Sequence, residues 1–182
     1  MQKGVAFSQL IYYNYSQVGQ SVAILHKLYQ NPTIYERKVK FMPFVGEYSH
    51  TLDAKNRIFV PAKLREELGD HFYITRKMNK TCLAVYSTSE MDHICERIAQ
   101  FPDSEVSEIK EFLFSKTIYA TPDSNGRIVL PQTILDYAGI DRNAVIVGAG
   151  NHLQSWSDIL WAEEESKRDM SAIRAKLASL GL

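Results

Sequence analysis

The chain has 182 residues, 45% of them hydrophobic, and 21 basic residues against 21 acidic ones leave it with no formal net charge. That length fits one ordinary domain or two small ones of a globular protein. It excludes a membrane-spanning helix, because no run approaches about 18 apolar residues, and a disulfide scaffold, because Cys82 and Cys95 stand alone without CxxC spacing.

Residues 1–41 read differently from the rest. They carry Lys3, Lys27, Arg37, Lys38 and Lys40 against the single acid Glu36, with many Tyr, Gln and Asn and no sustained apolar face. A signal peptide is not expected, since a basic start, a continuous apolar core and a small-residue cleavage site are missing. The expectation is that Met42 is the natural start and that 1–41 is a non-native or disordered extension. The alternative is a basic arm that helps to hold nucleic acid. An abundant native peptide from within 1–41 in mass spectrometry decides for the arm.

From Met42 onward the pattern is regular. "HTLDAKNR" predicts strand, turn, strand, with Asp53 capping the turn through its side chain and Asn56 taking a left-handed backbone. "RIFVP" alternates as a short strand with Ile58 and Val60 on one face, and Pro61 suits the first position of a helix. Leu64 and Leu68 give that helix one apolar side, and Gly69 stops it. "HFYITR" and "CLAVYS" predict a strand pair. Ser87 and Glu90 fit a capping box for a helix lined by Met91, Ile94 and Ile98. Pro102 breaks it, and a second amphipathic helix follows with Val106, Ile109 and Leu113 inward.

The same order then repeats. "DSNGRIVLP", residues 123–131, echoes "DAKNRIFVP", residues 53–61. A shift of 70 pairs Asp53 with Asp123, Arg57 with Arg127, Pro61 with Pro131, Gly69 with Gly139 and Tyr86 with Trp156. One unbroken register of this kind means two copies of one supersecondary unit. Gly126 takes the left-handed turn position without strain. Ile134, Leu135, Ala138 and Gly139 make the second helix and its stop, and "AVIVGAG" and "LQSWS" the second strand pair. A longer helix is expected from about Asp158, with Leu160, Met170, Ile173, Leu177 and Leu180 apolar. Its charge run "EEESKRD" reads as a solvated face or as a contact with a neighbouring subunit. The expected organisation is a first module at 46–89, a helical connector at 90–116, a second module at 117–160 and a C-terminal helix at 161–182.

"GEYSHTLDAKNRIFVPAKLREELGDHFYITR", residues 46–76, resembles the start of MraZ proteins, and "YATPDSNGRIVLPQTILDYAGI", residues 119–140, resembles their second half-motif. The likeness runs from about Met42 to Met170. It implies an α+β fold: a pseudo-symmetric swapped-hairpin β-barrel of the SpoVT-AbrB type, built from two tandem repeats with amphipathic helices after each. It also implies a cytoplasmic, nucleoid-associated homo-oligomer, a closed ring of several subunits. The family binds double-stranded DNA at short direct repeats upstream of the division and cell-wall gene cluster that contains its own gene, usually as a repressor. The resemblance places Asp53, Lys55 and Arg57 of the first copy and Asp123 and Arg127 of the second on the DNA-facing side. Asn56 replaces the more usual Gly, and Asn125 stands where the first copy has Lys55, so the first copy is expected to grip DNA more strongly.

The chemistry of the motif suits that role. An Arg just after a tight turn projects from a rigid strand end, where its planar fork can hold a phosphate or the O6/N7 edge of guanine. Asp53 is repelled by phosphate and is expected to lock the turn and orient Arg57, while Lys55 adds a phosphate contact. A plainer reading makes Asp53 and Arg57 a local ion pair that only stabilises the turn. Lys63 and Arg65 read equally well as ordinary exposed helix charges. DNA-binding roles are thus expected for Lys55, Arg57 and Arg127, and turn-orienting roles for Asp53, Asn56, Asp123 and Gly126.

No enzyme is expected. His26, His50, His71, His93 and His152 are scattered without metal-ligand spacing, and no P-loop, GxGxxG or G-x-S-x-G occurs. Cys82 and Cys95 read as structural. Related barrels include decarboxylases that cut their own Gly-Ser bond, a dipeptide missing from this chain. Neither cofactor, metal, membrane nor small-molecule substrate is expected. The alternative function is a non-catalytic protein-interaction or antitoxin-like module of the same fold.

Overall fold

β-Branched and aromatic side chains favour the strands, alternating with polar ones in Glu47–Thr51 and running on as buried stretches in Leu83–Ser87 and Asn143–Gly148. A computed structural model, which describes residues 44–182, contains eight strands. They are β1 (Glu47–Thr51), β2 (Arg57–Phe59), β3 (Phe72–Arg76), β4 (Leu83–Ser87), β5 (Ile118–Ala120), β6 (Arg127–Val129), β7 (Asn143–Gly148) and β8 (Leu153–Ser157). Six helices are described: α1 (Ala62–Leu68), α2 (Thr88–Ile98), α3 (Asp103–Phe114), α4 (Gln132–Ala138), α5 (Asp158–Ser166) and α6 (Met170–Ser179). The expectations for residues 1–41 lie outside the described residues.

The two copies are interleaved rather than side by side. β1 of the first copy pairs with β7 of the second, and β5 of the second pairs with β3 of the first, all antiparallel. The β3–β4 and β7–β8 hairpins meet along β4 and β8, giving a six-stranded sheet of order β1-β7-β8-β4-β3-β5. β2 and β6 pair only with each other, as a two-stranded ribbon. Ile58 faces Ile128 in the ribbon, and Ala84 faces Gln154 in the sheet. Both pairs are 70 residues apart, so one pseudo-two-fold axis passes through both.

The expected barrel is not a closed sheet. β1 and β5 are the free edges of the six-stranded sheet, and the ladder of β1 does not continue into β2. The chain leaves β7 at Leu52, whose N–H bonds Arg142 O at 2.8 Å, and turns at once into the Asp53 loop.

The register of the repeat is also broken once. Val85 faces Ile74, but Ser155, seventy residues after Val85, faces Ile146 and not Ala144. The second copy therefore carries two extra residues before β7 and two fewer in the β7–β8 turn. The shift is even, so the inward face is preserved. Phe72 and Ile74 point into the core, and so do Ala144 and Ile146.

The main core lies between ribbon and sheet. Ile58, Val60, Ile128 and Leu130 pack down on Phe72, Ile74, Leu83 and Leu153, with Leu64 and Leu68 of α1 and Ile134, Leu135 and Ala138 of α4 beside them. Replacing one such Ile by Ala costs about 2–5 kcal/mol. A small apolar cavity remains there, into whose lining Ser155 brings the one polar side chain. Its Oγ is buried without a hydrogen-bond partner. On the other face of the sheet, Val145 and Trp156 pack with Cys82 and with Trp161 of α5. Thr75, also buried, donates its hydroxyl hydrogen to Leu113 O of α3 at 2.7 Å.

Several local expectations change. Pro61 and Pro131 are the residues before their helices, with extended ψ of 140° and 145°, rather than the first helical ones. Ile109 is 36% exposed, so α3 buries only Val106 and Leu113 of the three expected. Ser87 caps α2 through Glu90 N–H, but the Glu90 carboxylate accepts from Asn151 instead of closing the box. The long C-terminal helix is two helices: α5 ends at Ser166, and Asp169 starts α6 by accepting from the N–H groups of Ser171 and Ala172. Met170, Ile173, Leu177 and Leu180 are all exposed.

Candidate nucleic-acid interface

The two turns are built alike. Asp53 accepts from the N–H of Lys55 and of Arg57 through Oδ1, at 2.9 and 3.0 Å. Asp123 accepts from Asn125 and Arg127 in the same way, both at 2.9 Å. Each loop is closed by Asp N–H to Arg O and by a bond back to Asp O from Asn56 or Gly126. The closing residue has positive φ in each copy, 54° at Asn56 and 74° at Gly126. These residues match the turn chemistry legible in the sequence, because an Asp loop of this length is satisfied within five residues.

The carboxylate also holds the arginine. Arg57 places Nε at 2.7 Å and Nη2 at 2.6 Å from Asp53 Oδ2, and Arg127 places the same atoms at 3.1 and 3.0 Å from Asp123 Oδ2. Each guanidinium is therefore gripped side-on, on the Nε/Nη2 edge. The end-on edge, formed by Nη1 and the second Nη2 hydrogen, is not part of the pair. The Arg57 guanidinium beside Asp53 is the largest cause that brings its carboxyl down to about 2, with the Arg57 backbone N–H next. Asp123 is lowered too, chiefly by the Arg127 backbone N–H. Both carboxylates are thus ionised at neutral pH, and the first pair is the tighter. The local ion pair is present in both copies, and each paired arginine stays partly exposed, 28% at Arg57 and 33% at Arg127.

The ribbon brings the two turns together. In the antiparallel register Arg57 faces Val129 and Phe59 faces Arg127. Residues directly opposite share a face, and Ile58 and Ile128 turn inward, so Arg57, Phe59, Arg127 and Val129 share the outer face. Arg57 and Arg127 are diagonal neighbours there, about 7–8 Å apart. Phe59 and Val129 are 43% and 58% exposed, and the Phe59 ring lies edge-on to His50. Neither apolar residue is singled out by the sequence, because alternation alone does not say which face of a three-residue strand is solvated. Lys55 is exposed at the tip of the first turn.

Each turn also touches the other copy's short helix. Asn56 Nδ2 donates to Gln132 Oε1 of α4 at 3.0 Å. Gly126 lies under Arg65 of α1, and a Cβ there would meet Arg65 Nε at 2.9 Å and Cζ at 3.0 Å. These cross-copy contacts follow from the ribbon, where Val60 N–H bonds Gly126 O and Leu130 N–H bonds Asn56 O, both at 2.9 Å.

Little else suggests a site. Among the described residues no group of three or more His, Cys, Asp or Glu could hold a metal ion, and no helix is long and apolar enough to cross a membrane. Cys82 is fully buried, and burial pushes its thiol up to about 12, so it stays protonated and unreactive. Cys95 is exposed on α2.

Comparison with known proteins accounts for both copies. A family model described as "MraZ protein, putative antitoxin-like" matches residues 43–110 and again 113–179. A protein named transcriptional regulator MraZ from Clostridium acetobutylicum is 37% identical over 142 residues, covering 76% of this chain and 99% of its own. Its namesake from Dictyoglomus thermophilum is 36% identical over 143 residues, covering 75% and 97%. That from Carboxydothermus hydrogenoformans is 39% identical over 120 residues, covering 65% and 83%. With a twofold family match over the interleaved copies and relatives of this identity along nearly their whole length, the chain belongs to the MraZ family.

Proposed function

We propose that the chain is a sequence-specific DNA-binding transcriptional regulator that reads short direct repeats as a ring-shaped homo-oligomer and represses the division and cell-wall gene cluster containing its own gene. The observation that carries this reading is the ribbon: two Asp-x-x-x-Arg turns that put Arg57 and Arg127 on one outer face, in a family whose members are named transcriptional regulators. A two-stranded ribbon fits the major groove of B-DNA. The carboxylates hold the arginines rigid from the side and leave the end-on edge for guanine O6/N7 or a phosphate. Lys55 adds a phosphate contact, and Asn56 and Gly126 hold the turns in shape. The fold is then of the swapped-hairpin AbrB type, with the ribbon as a separate layer on the open six-stranded sheet, and the protein works without catalysis, cofactor or metal.

A neutral subunit with few basic contacts binds one repeat weakly, and a ring that engages several repeats gains through effective concentration. Arg57→Ala weakens binding to the DNA upstream of the chain's own gene by about 1–3 kcal/mol if it contacts a base edge. Unchanged affinity in a mobility-shift titration, with the oligomer intact, refutes the role of Arg57. Equal affinity of ring and monomer refutes the avidity. The uncovered apolar side of α6, at Met170, Ile173 and Leu177, favours a second reading as a protein-interaction module; absence of any shift at low salt moves the weight to it.

A further inference from the structure

The two turns carry different cations. Each Asp–Arg pair is neutral within itself, so the unbalanced charge of the first turn is Lys55. The second turn has Asn125 at that position. Three of its backbone donors are taken: the N–H groups of Asn125 and Arg127 go to Asp123 Oδ1, and that of Gly126 goes to Asp123 O. By its own residues the second turn offers a phosphate no cation beyond Arg127, only the neutral donors of the exposed Ser124 and Asn125.

Arg65 fills that gap from the other copy. Its guanidinium lies over Gly126, with Nε, Cζ and Nη2 at 2.9, 3.0 and 3.1 Å from where a Cβ would stand. Nε is anchored on Val60 O at 3.1 Å. Its terminal nitrogens take part in no hydrogen bond or ion pair among the described residues. Nothing comparable exists at the first turn. There Asn56 carries a side chain where Gly126 has none, and the position matching Arg65 is Leu135, which is buried in the core. The two differences go together: a bare glycine where the arginine lies, and an amide-bearing asparagine where no arginine arrives.

We propose that Arg65 is the phosphate-binding cation of the second turn, matching there what Lys55 supplies at the first. This rests on the DNA-binding reading given above. Both half-sites of the ribbon then hold one paired arginine and one unpaired cation, and the apparent weakness of the second copy is made good by the first. Being flat on a peptide and anchored by Nε, Arg65 meets backbone phosphate rather than a base edge, so its contribution does not depend on sequence.

The test is the salt dependence of binding by the full chain to a fluorescent mixed-sequence duplex of about 30 base pairs. Each lost phosphate contact makes the slope of log K against log salt less negative by about 0.9. Arg65→Gln is expected to flatten the slope by about that amount per engaged subunit, as Lys55→Gln does, and to weaken all duplex sequences alike. Arg65→Lys, which keeps the charge, is expected to restore the slope. An Arg65→Gln slope equal to that of the unaltered chain, while Lys55→Gln flattens its own, overturns the inference and leaves the DNA reading standing. An Arg65→Lys slope as flat as that of Arg65→Gln also overturns it, since charge is then not what acts. Failure of the unaltered chain to bind duplex at low salt overturns the DNA reading and this inference together.

Discussion

Gly126→Ala tests the geometry of the second turn. Gly126 has φ of 74°, and a residue with a Cβ pays about 1–2 kcal/mol for a left-handed backbone. Reduced freedom of the unfolded chain returns about 0.4–1 kcal/mol. The new Cβ also meets Arg65 Nε at 2.9 Å, so the guanidinium must move off and its bond to Val60 O is lost. That bond is worth about 0.5–1.5 kcal/mol. The net expectation is a loss of about 1–2 kcal/mol. The assay is urea unfolding followed by far-ultraviolet circular dichroism at one fixed protein concentration, for the unaltered chain, Gly126→Ala, Arg65→Ala and the double variant. In the Arg65→Ala background only the backbone cost remains, so the cycle should return a coupling of about 1 kcal/mol. A coupling near zero means that Arg65 does not rest on Gly126 in solution. A Gly126→Ala variant as stable as the unaltered chain refutes the left-handed turn as well.

Two further outcomes follow from buried polar groups. Ser155 Oγ is buried without a partner, and the matching residue of the first copy is Val85; Ser155→Ala and Ser155→Val are each expected to raise stability by about 1 kcal/mol in the same assay, and a loss on Ser155→Ala refutes the unpaired hydroxyl. His152 is brought down to about 4 by burial first and by the Lys77 ammonium second, whose Nζ is 3.0 Å from Nε2. The unfolded chain takes its proton near pH 6.5 and the folded chain near pH 4, so stability is full above 6.5 and falls as the pH drops between them, by about 3 kcal/mol in all. His50, also lowered by burial, acts in the same sense, so the quantity to read is the difference made by His152→Gln. That variant should flatten the decline between pH 7 and 4.5, and an unchanged profile refutes the account.

Residue type and spacing encode whatever is satisfied within a few residues. The Asp53 and Asp123 turns, the left-handed positions at Asn56 and Gly126, the short helices stopped by Gly69 and Gly139, and the serine cap of α2 all close their hydrogen bonds locally, so residue type and spacing suffice to see them. The repeat was legible for the same reason, as the same local solutions written twice. Which strand pairs with which is a matter of long-range packing. β1 is claimed by β7 and β5 by β3 because interleaving buries both inward faces against one ribbon, a choice that alternation along a single strand does not encode. The two-residue shift before β7 was hidden because an even shift keeps every side chain on its face. Arg65 was invisible as more than a helix charge. What makes it part of the second turn is its approach to Gly126, 61 residues away in the chain, and that contact exists only because the antiparallel ribbon sets the end of β2 beside the turn of the other copy.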